Sequence, residues 1–234
     1  MVGDGRRYDH PMIKLARPAG NRWVSIALLG VAGCGFTTGK PIEHGPAPRV
    51  VLGGDVSSSG LRDTPPNALP FSQTCMPGEV VVGYTGTEDG TTNANQLQSL
   101  QGFCATLSVL GTSTLEVSTI AAESMPMVGR AAGSVSQTEM CPDGEMVVAF
   151  TGRSGSDIDQ IAIVCARIVI SGTYPHYRLS LGEPDQRPPI GNGGGAPFDA
   201  IACPAGQVAV GHEGRAATIV NTFGLLCAAP VLVL

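Results

Sequence analysis

The sequence predicts an all-β chain built from three repeats. Three observations carry that reading: a glycine- and proline-rich composition, a cysteine motif that recurs three times, and alternating apolar residues after each occurrence. The 234 residues include 32 glycines and 18 prolines with few charges and few aromatics, a profile of short strands and turns rather than long helices. With 43% hydrophobic residues the chain is too apolar to stay disordered. A net charge of -5 and a pI near 5.3 exclude the basic footprint expected of a nucleic-acid binder.

The recurring motif reads Cys75-Met-Pro-Gly-Glu, Cys141-Pro-Asp-Gly-Glu and Cys203-Pro-Ala-Gly-Gln. Each Pro/Gly turn leads into a strand that closes on a glycine, at Gly86, Gly152 and Gly214. The apolar slots along these strands are Val80, Val82 and Tyr84; Met146, Val148 and Phe150; Val208, Val210 and His212. A period of two predicts that each set shares one buried face, with His212 a core histidine rather than a base. A second strand-like block, Leu97 to Cys104, Ile158 to Cys165 and Val220 to Cys227, closes each repeat on another cysteine.

Repetition selects one pairing from the many that six cysteines allow: Cys75–Cys104, Cys141–Cys165 and Cys203–Cys227. The odd seventh cysteine is Cys34. Zinc sites favour close Cys or His pairs, and the four histidines are scattered, so no metal is expected. No cofactor is expected either: Gly35-Phe-Thr-Thr-Gly39-Lys40-Pro41 lacks both the spacing and the hydroxyl of a phosphate-binding loop. Apolar runs from Ala105, Ala166 and Ala228 predict a third strand, and Leu115–Ile120 and Tyr177–Leu181 a fourth in repeats one and two. For repeat three the missing strand is assigned to Arg49–Leu52, with Leu52-Gly53 matched to Val128-Gly129 and Ile190-Gly191, so the domain closes its N-terminal part on its C-terminal part.

The N-terminal segment carries an export pattern. Lys14, Arg17 and Arg22 precede the short apolar run Trp23–Val31, too short to span a bilayer. Val31-Ala32-Gly33-Cys34 then resembles the lipobox of bacterial lipoproteins, which implies cleavage before Cys34 and lipidation of its thiol. Met12 offers an alternative start. The expected organisation is a signal peptide over 1–33, a lipidated tether over 34–48 and a three-repeat domain over 49–234, with the protein anchored at the cell envelope or surface.

The repeat Cys-Pro-x-Gly, alternating strand, then Ile158-Asp159-Gln160-Ile161-x-Ile163-x-Cys165 resembles that of vitelline membrane outer layer proteins. Gly152-Arg-Ser-Gly-Ser-Asp-Ile-Asp-Gln-Ile161 is similar to the Gly-x-x-Gly and Ile-Asp-x-Ile run of jacalin-type lectins, which usually lack this disulfide framework. Both resemblances imply a pseudo-threefold β-prism of three Greek-key sheets, four strands each, with carbohydrate-related function as the weaker implication because one fold hosts many functions.

Within that frame the polar slot Gln98, Asp159, Asn221 repeats three times, as a turn-bonding residue or as an acceptor for sugar hydroxyls. The loops that break the threefold pattern supply the other candidate ligand-binding residues: Glu88 and Asp89, Arg153 and Asp157, Glu213 and Arg215. Glu88 with Asp89, or Asp157 with Asp159, would be the carboxylate pair of a glycosidase. No nucleophile elbow is present and no catalytic residue is assigned. The only tryptophan, Trp23, lies in the signal, leaving Tyr174 and Tyr177 for sugar stacking. The expected function is a lipid-anchored surface module that binds or builds structure, with a glycan or a surface protein as partner. The alternative is a carbohydrate-binding or glycan-processing protein.

Overall fold

Three sheets with one strand order surround a common core in the computed structural model, which describes residues 47–62, 68–88, 96–112, 114–130 and 135–234. Cys34 and the export pattern lie outside the described residues. The first sheet runs β8 (Val135–Met140), β4 (Glu79–Glu88), β5 (Leu97–Leu110), β7 (Val128–Gly129). In the second, β14 (Ala196–Ala202), β9 (Glu145–Ser154), β10 (Ile158–Ser171) and β13 (Ile190–Gly191) follow in the same sense, with β12 (Asp185–Gln186) also on β10. The third is β3 (Leu69–Thr74), β15 (Val208–Ala216), β16 (Val220–Ala228) and β2 (Ser57–Ser58). All these pairings are antiparallel, and each sheet has the 4-1-2-3 order of a Greek key. The third key is permuted, because its two outer strands come from the start of the domain.

The lower halves of the long strands carry a second set of pairs. β5 pairs with β6 (Glu116–Ser124), β10 with β11 (Arg178–Leu181), and β1 (Arg49–Leu52) with β17 (Pro230–Val233). These three two-stranded ribbons meet in a ring, β6 against β10, β11 against β17 and β1 against β5. The expected closure through Arg49–Leu52 is therefore present, but its register differs from the expectation. Leu52 lies opposite Pro230 and the Gly53 amide donates to Ala229 O at 2.8 Å, as Leu181 lies opposite Ile168 and the Gly182 amide donates to Arg167 O at 2.8 Å. Leu52-Gly53 thus matches Leu181-Gly182. The counterpart of Val128 opposite Leu100 and Ile190 opposite Ile161 is Arg62 opposite Phe223.

Each repeat is closed by the expected disulfide, with Cα–Cα distances of 5.7, 5.6 and 5.7 Å for Cys75–Cys104, Cys141–Cys165 and Cys203–Cys227. Beside each bridge the register slips by one residue, at Val82, Val148 and Val210. These bulges correct the expectation of one buried face per strand, since an extra residue reverses which side the next side chain takes. Val81, Tyr84, Val147, Phe150 and Ala209 join one core cluster, while Val80, Val82, Met146 and Val208 join a second. The first lies between the upper halves of the sheets and the second between the ribbons. Call the two ends of the prism the apex, where β4 turns into β5, and the base, where the ribbons turn.

At the centre of the upper core, Tyr84, Phe150 and His212 occupy equivalent positions and are fully buried. Phe223 sits among them, with ring centroids 4.8 Å from Phe150, 5.6 Å from Tyr84 and 5.8 Å from His212. His212 is a core residue, as expected. Its Nε2 meets Gln73 Oε1 at 2.9 Å, while Nδ1 has no partner among the described residues. Burial holds its pKa down to about 4, because charging the ring would strand a cation among aromatic side chains.

Candidate functional site

At the apex, Asp157 of the β9–β10 turn meets residues of the other two repeats. Its Oδ1 accepts from Asn221 Nδ2 of repeat three at 2.6 Å. Its Oδ2 accepts from Gln96 Nε2 of repeat one at 3.2 Å and from Ser156 Oγ at 2.9 Å. Its carbonyl takes the Gly155 amide at 3.1 Å, which folds the β9–β10 turn back on itself. One carboxylate therefore cross-links all three repeats. Both its oxygens are engaged, which makes Asp157 a structural tie between the repeats.

Two residues on, Asp159 occupies a different setting. It is buried, with 6% of its surface exposed, and its Oδ2 faces two glycine loops. A Cβ added to Gly155 would stand 3.7 Å from that oxygen, and one added to Gly195 only 2.3 Å from it. Gly195 also adopts φ +58°, so the backbone approaches the carboxylate there because no side chain intervenes. Arg153 fixes the loop from the adjacent strand: Nε donates to Gly194 O at 2.9 Å and Nη2 to Gly195 O at 2.8 Å. The Asn192 amide donates to Asp159 O at 3.2 Å, and the Gly193 amide to Asn192 Oδ1 at 2.7 Å. The carboxylate is thus packed against the backbone of two glycine loops.

The other repeats use the same slot differently. Asn221 spends its amide on Asp157, and its Oδ1 has no partner among the described residues. Gln98 Oε1 is likewise buried without one. Glu88 is buried at the end of β4, and Asp89 lies outside the described residues. Glu213 accepts from the Ser58 hydroxyl, and Arg215 Nη1 donates to Ala68 O at 3.0 Å, so both tie repeat three to the N-terminal strands. Of the seven candidate ligand-binding residues, the structure brings Arg153, Asp157 and Asp159 together.

Tyr174 and Tyr177 do not belong to this site. They sit in the turn between β10 and β11 at the base, at the opposite end of β10 from Asp159. The glycine loop 191–195 was not singled out from the sequence, although the run Gly191-Asn-Gly-Gly-Gly195 was the available signal. Phe198 and Arg62 were missed as well. The Arg62 guanidinium lies 5.0 Å over the Phe198 ring, and its Nε donates to Ser154 Oγ at 3.1 Å.

No protein-family model matches the chain, and no curated protein does. Among solved structures it is similar to a Malaysian banana lectin, at 13% identity over 74% of this chain and 98% of that one, with a TM-score of 0.47. It is also similar to frutapin, a lectin from Artocarpus incisa, at 10% identity over 75% and 99%, TM-score 0.46. A mannose-binding jacalin-related lectin from Ananas comosus matches at 17% identity over 78% and 96%, TM-score 0.36.

Proposed function

We propose that this chain is an exported, lipid-anchored protein whose β-prism binds carbohydrate at the glycine loops of repeat two. The observation that carries the reading is the Asp159 carboxylate held between Gly155 and Gly195. A carboxylate can accept several hydrogen bonds, and neighbouring sugar hydroxyls are donors at the right spacing for its two oxygens. Glycine walls let a pyranose ring reach backbone groups that a side chain would cover. The loop is held in advance by Arg153, which lowers the ordering cost of binding. Glycoside hydrolysis is the less favoured activity, because Asp157 is committed on both oxygens to ties between repeats.

A glycan array probed with the mature domain and with Asp159→Asn tests the binding reading. Signal on neutral glycans that the variant loses supports it. An array without signal, or signal unchanged in the variant, refutes it. Anchoring rests on the charged segment, the apolar run and Val-Ala-Gly-Cys34. Palmitate label incorporated by the full chain and absent from Cys34→Ala is the expected result, and label persisting in the variant overturns it.

A further inference from the structure

We propose that Asn192 is a site of self-modification, where the backbone nitrogen of Gly193 attacks the side-chain amide and an isoaspartate forms within the loop that packs on Asp159. The consequence for glycan binding rests on the carbohydrate reading above; the chemistry at Asn192 does not. Of the six asparagines in the chain, only Asn192 is followed by glycine. Any other residue carries a Cβ that crowds the attacking nitrogen, and Asn221 is followed by the β-branched Thr222.

The fold brings the reacting groups together. The Gly193 amide donates to Asn192 Oδ1 at 2.7 Å, so the side chain is folded back over the next peptide. A carbonyl bond is about 1.2 Å long, which puts the Gly193 nitrogen within about 4 Å of Asn192 Cγ. A small side-chain rotation separates this from a near-attack arrangement. The pair lies in the bend between β13 and β14, Gly193 is exposed, and a Cβ built on it would meet nothing within 4 Å. Solvent base can therefore reach the Gly193 proton, and its flank is uncrowded.

The reaction balances on water alone. A solvent base takes the Gly193 amide proton, the nitrogen bonds to Cγ, and the Cγ–Nδ2 bond breaks as Nδ2 leaves, protonated, as ammonia. The product is a cyclic succinimide. Water then opens it at either carbonyl, giving aspartate or isoaspartate, with no oxidant or reductant involved.

The loop is poorly placed to absorb that product. On one side the Asn192 amide donates to Asp159 O at 3.2 Å, and on the other Arg153 holds the carbonyls of Gly194 and Gly195. Isoaspartate lengthens the main chain between these two anchors, and either product adds a negative charge to the loop. Ageing should therefore weaken glycan binding.

Freshly purified protein is incubated in mildly alkaline heavy-oxygen water, then mapped by peptide mass spectrometry and labelled with isoaspartyl methyltransferase. Isoaspartate carrying heavy oxygen should build up at residue 192 roughly tenfold faster than at Asn221, and Gly193→Ala should slow it by a similar factor. That variant places its methyl group in open space at a φ outside the left-handed region, so its fold is retained. Conversion at 192 that is absent, no faster than at Asn221, or unslowed in the variant overturns the proposal. On the glycan array, wild-type signal should fall in proportion to the converted fraction, and the variant should keep its fresh signal. A converted sample that binds as before overturns the link to binding. Fresh protein silent on the array refutes the carbohydrate reading, while the mass readout still decides the modification.

Discussion

Repeats two and three share a strand order, a bulge position and a disulfide closing 24 residues, yet they carry different chemistry at equivalent places. Phe150 fills the central core position of one and His212 that of the other. Asp159 packs against the loops of Gly155 and Gly195, whereas Asn221 donates to Asp157. β10 runs unbroken through its ribbon, while Pro230, which has no amide hydrogen, marks the break between β16 and β17. The repeated backbone is set by glycines, bulges and disulfides, and single side chains on that frame decide what each unit does.

The two repeats should respond alike where the frame is shared. Replacing Cys141 and Cys165 by alanine should cost about 3.5 kcal/mol on the loop-entropy relation, and replacing Cys203 and Cys227 should cost the same, since the loops are equal in length. Urea denaturation of the two variants gives the comparison. A gap of more than about 1 kcal/mol would mean that strain or residual denatured structure, and not loop length, governs the bridges.

The core position should separate them. His212 is neutral in the folded protein with its pKa at about 4, against 6.5 for an ordinary histidine. The unfolded chain therefore takes up this proton first as pH falls. Full stability is present above about pH 6.5 and is lost progressively toward pH 4, by about 3 kcal/mol at 1.36 kcal/mol per unit. His212→Phe, which copies repeat two, should flatten that stretch of the stability–pH curve. A curve of unchanged slope would assign the acid lability to other groups.

At the apex the expected effect is smaller and falls on binding. Asp159→Asn removes a charged acceptor and should weaken glycan affinity by roughly thirtyfold, about 2 kcal/mol. Asn221→Ala should have the opposite profile: a modest loss of stability from the cut tie to Asp157, and affinity reduced only slightly. Calorimetric titration and melting of both variants check this pair.

The frame was legible in the sequence because its rules are local. Cysteine spacing, Pro/Gly turns and alternating valines named β4, β9 and β15 with their partners and the bridges, and the assignment of Arg49–Leu52 as a missing fourth strand foretold closure. The runs from Ala105 and Ala166, expected as separate third strands, instead continue β5 and β10, and the outer strands β3, β8 and β14 were not named. The bulges were not legible, since one extra residue leaves the apolar pattern looking continuous while Val80 and Tyr84 turn into different clusters. Nor could sequence separate Asp157 from Asp159. Their roles depend on which distant loops reach them, Gln96 and Asn221 of the other repeats for one and Gly195 of the same sheet for the other, and those contacts are set by the closed prism.

The smallest difference between the repeats lies in their Cys-Pro-x-Gly turns. Gly144 and Gly206 share a left-handed backbone, with φ of +76° and +77°, so alanine at either pays the same conformational penalty. Their surroundings differ. A Cβ at Gly206 meets nothing within 4 Å, whereas one at Gly144 would stand 2.4 Å from the carbonyl of Val117 in the ribbon of repeat one. That ribbon is held in place by Asp143, whose carboxylate accepts from the Thr119 amide at 3.0 Å and from the Ser118 and Thr119 hydroxyls; these bonds draw its pKa below the usual range. The carbonyl therefore has little room to retreat. Gly206→Ala should cost about 1 kcal/mol, the left-handed strain alone, and Gly144→Ala clearly more. Equal losses in chemical denaturation would show that the repeat-one ribbon yields to the added methyl group, and that this turn is set by φ rather than by contact.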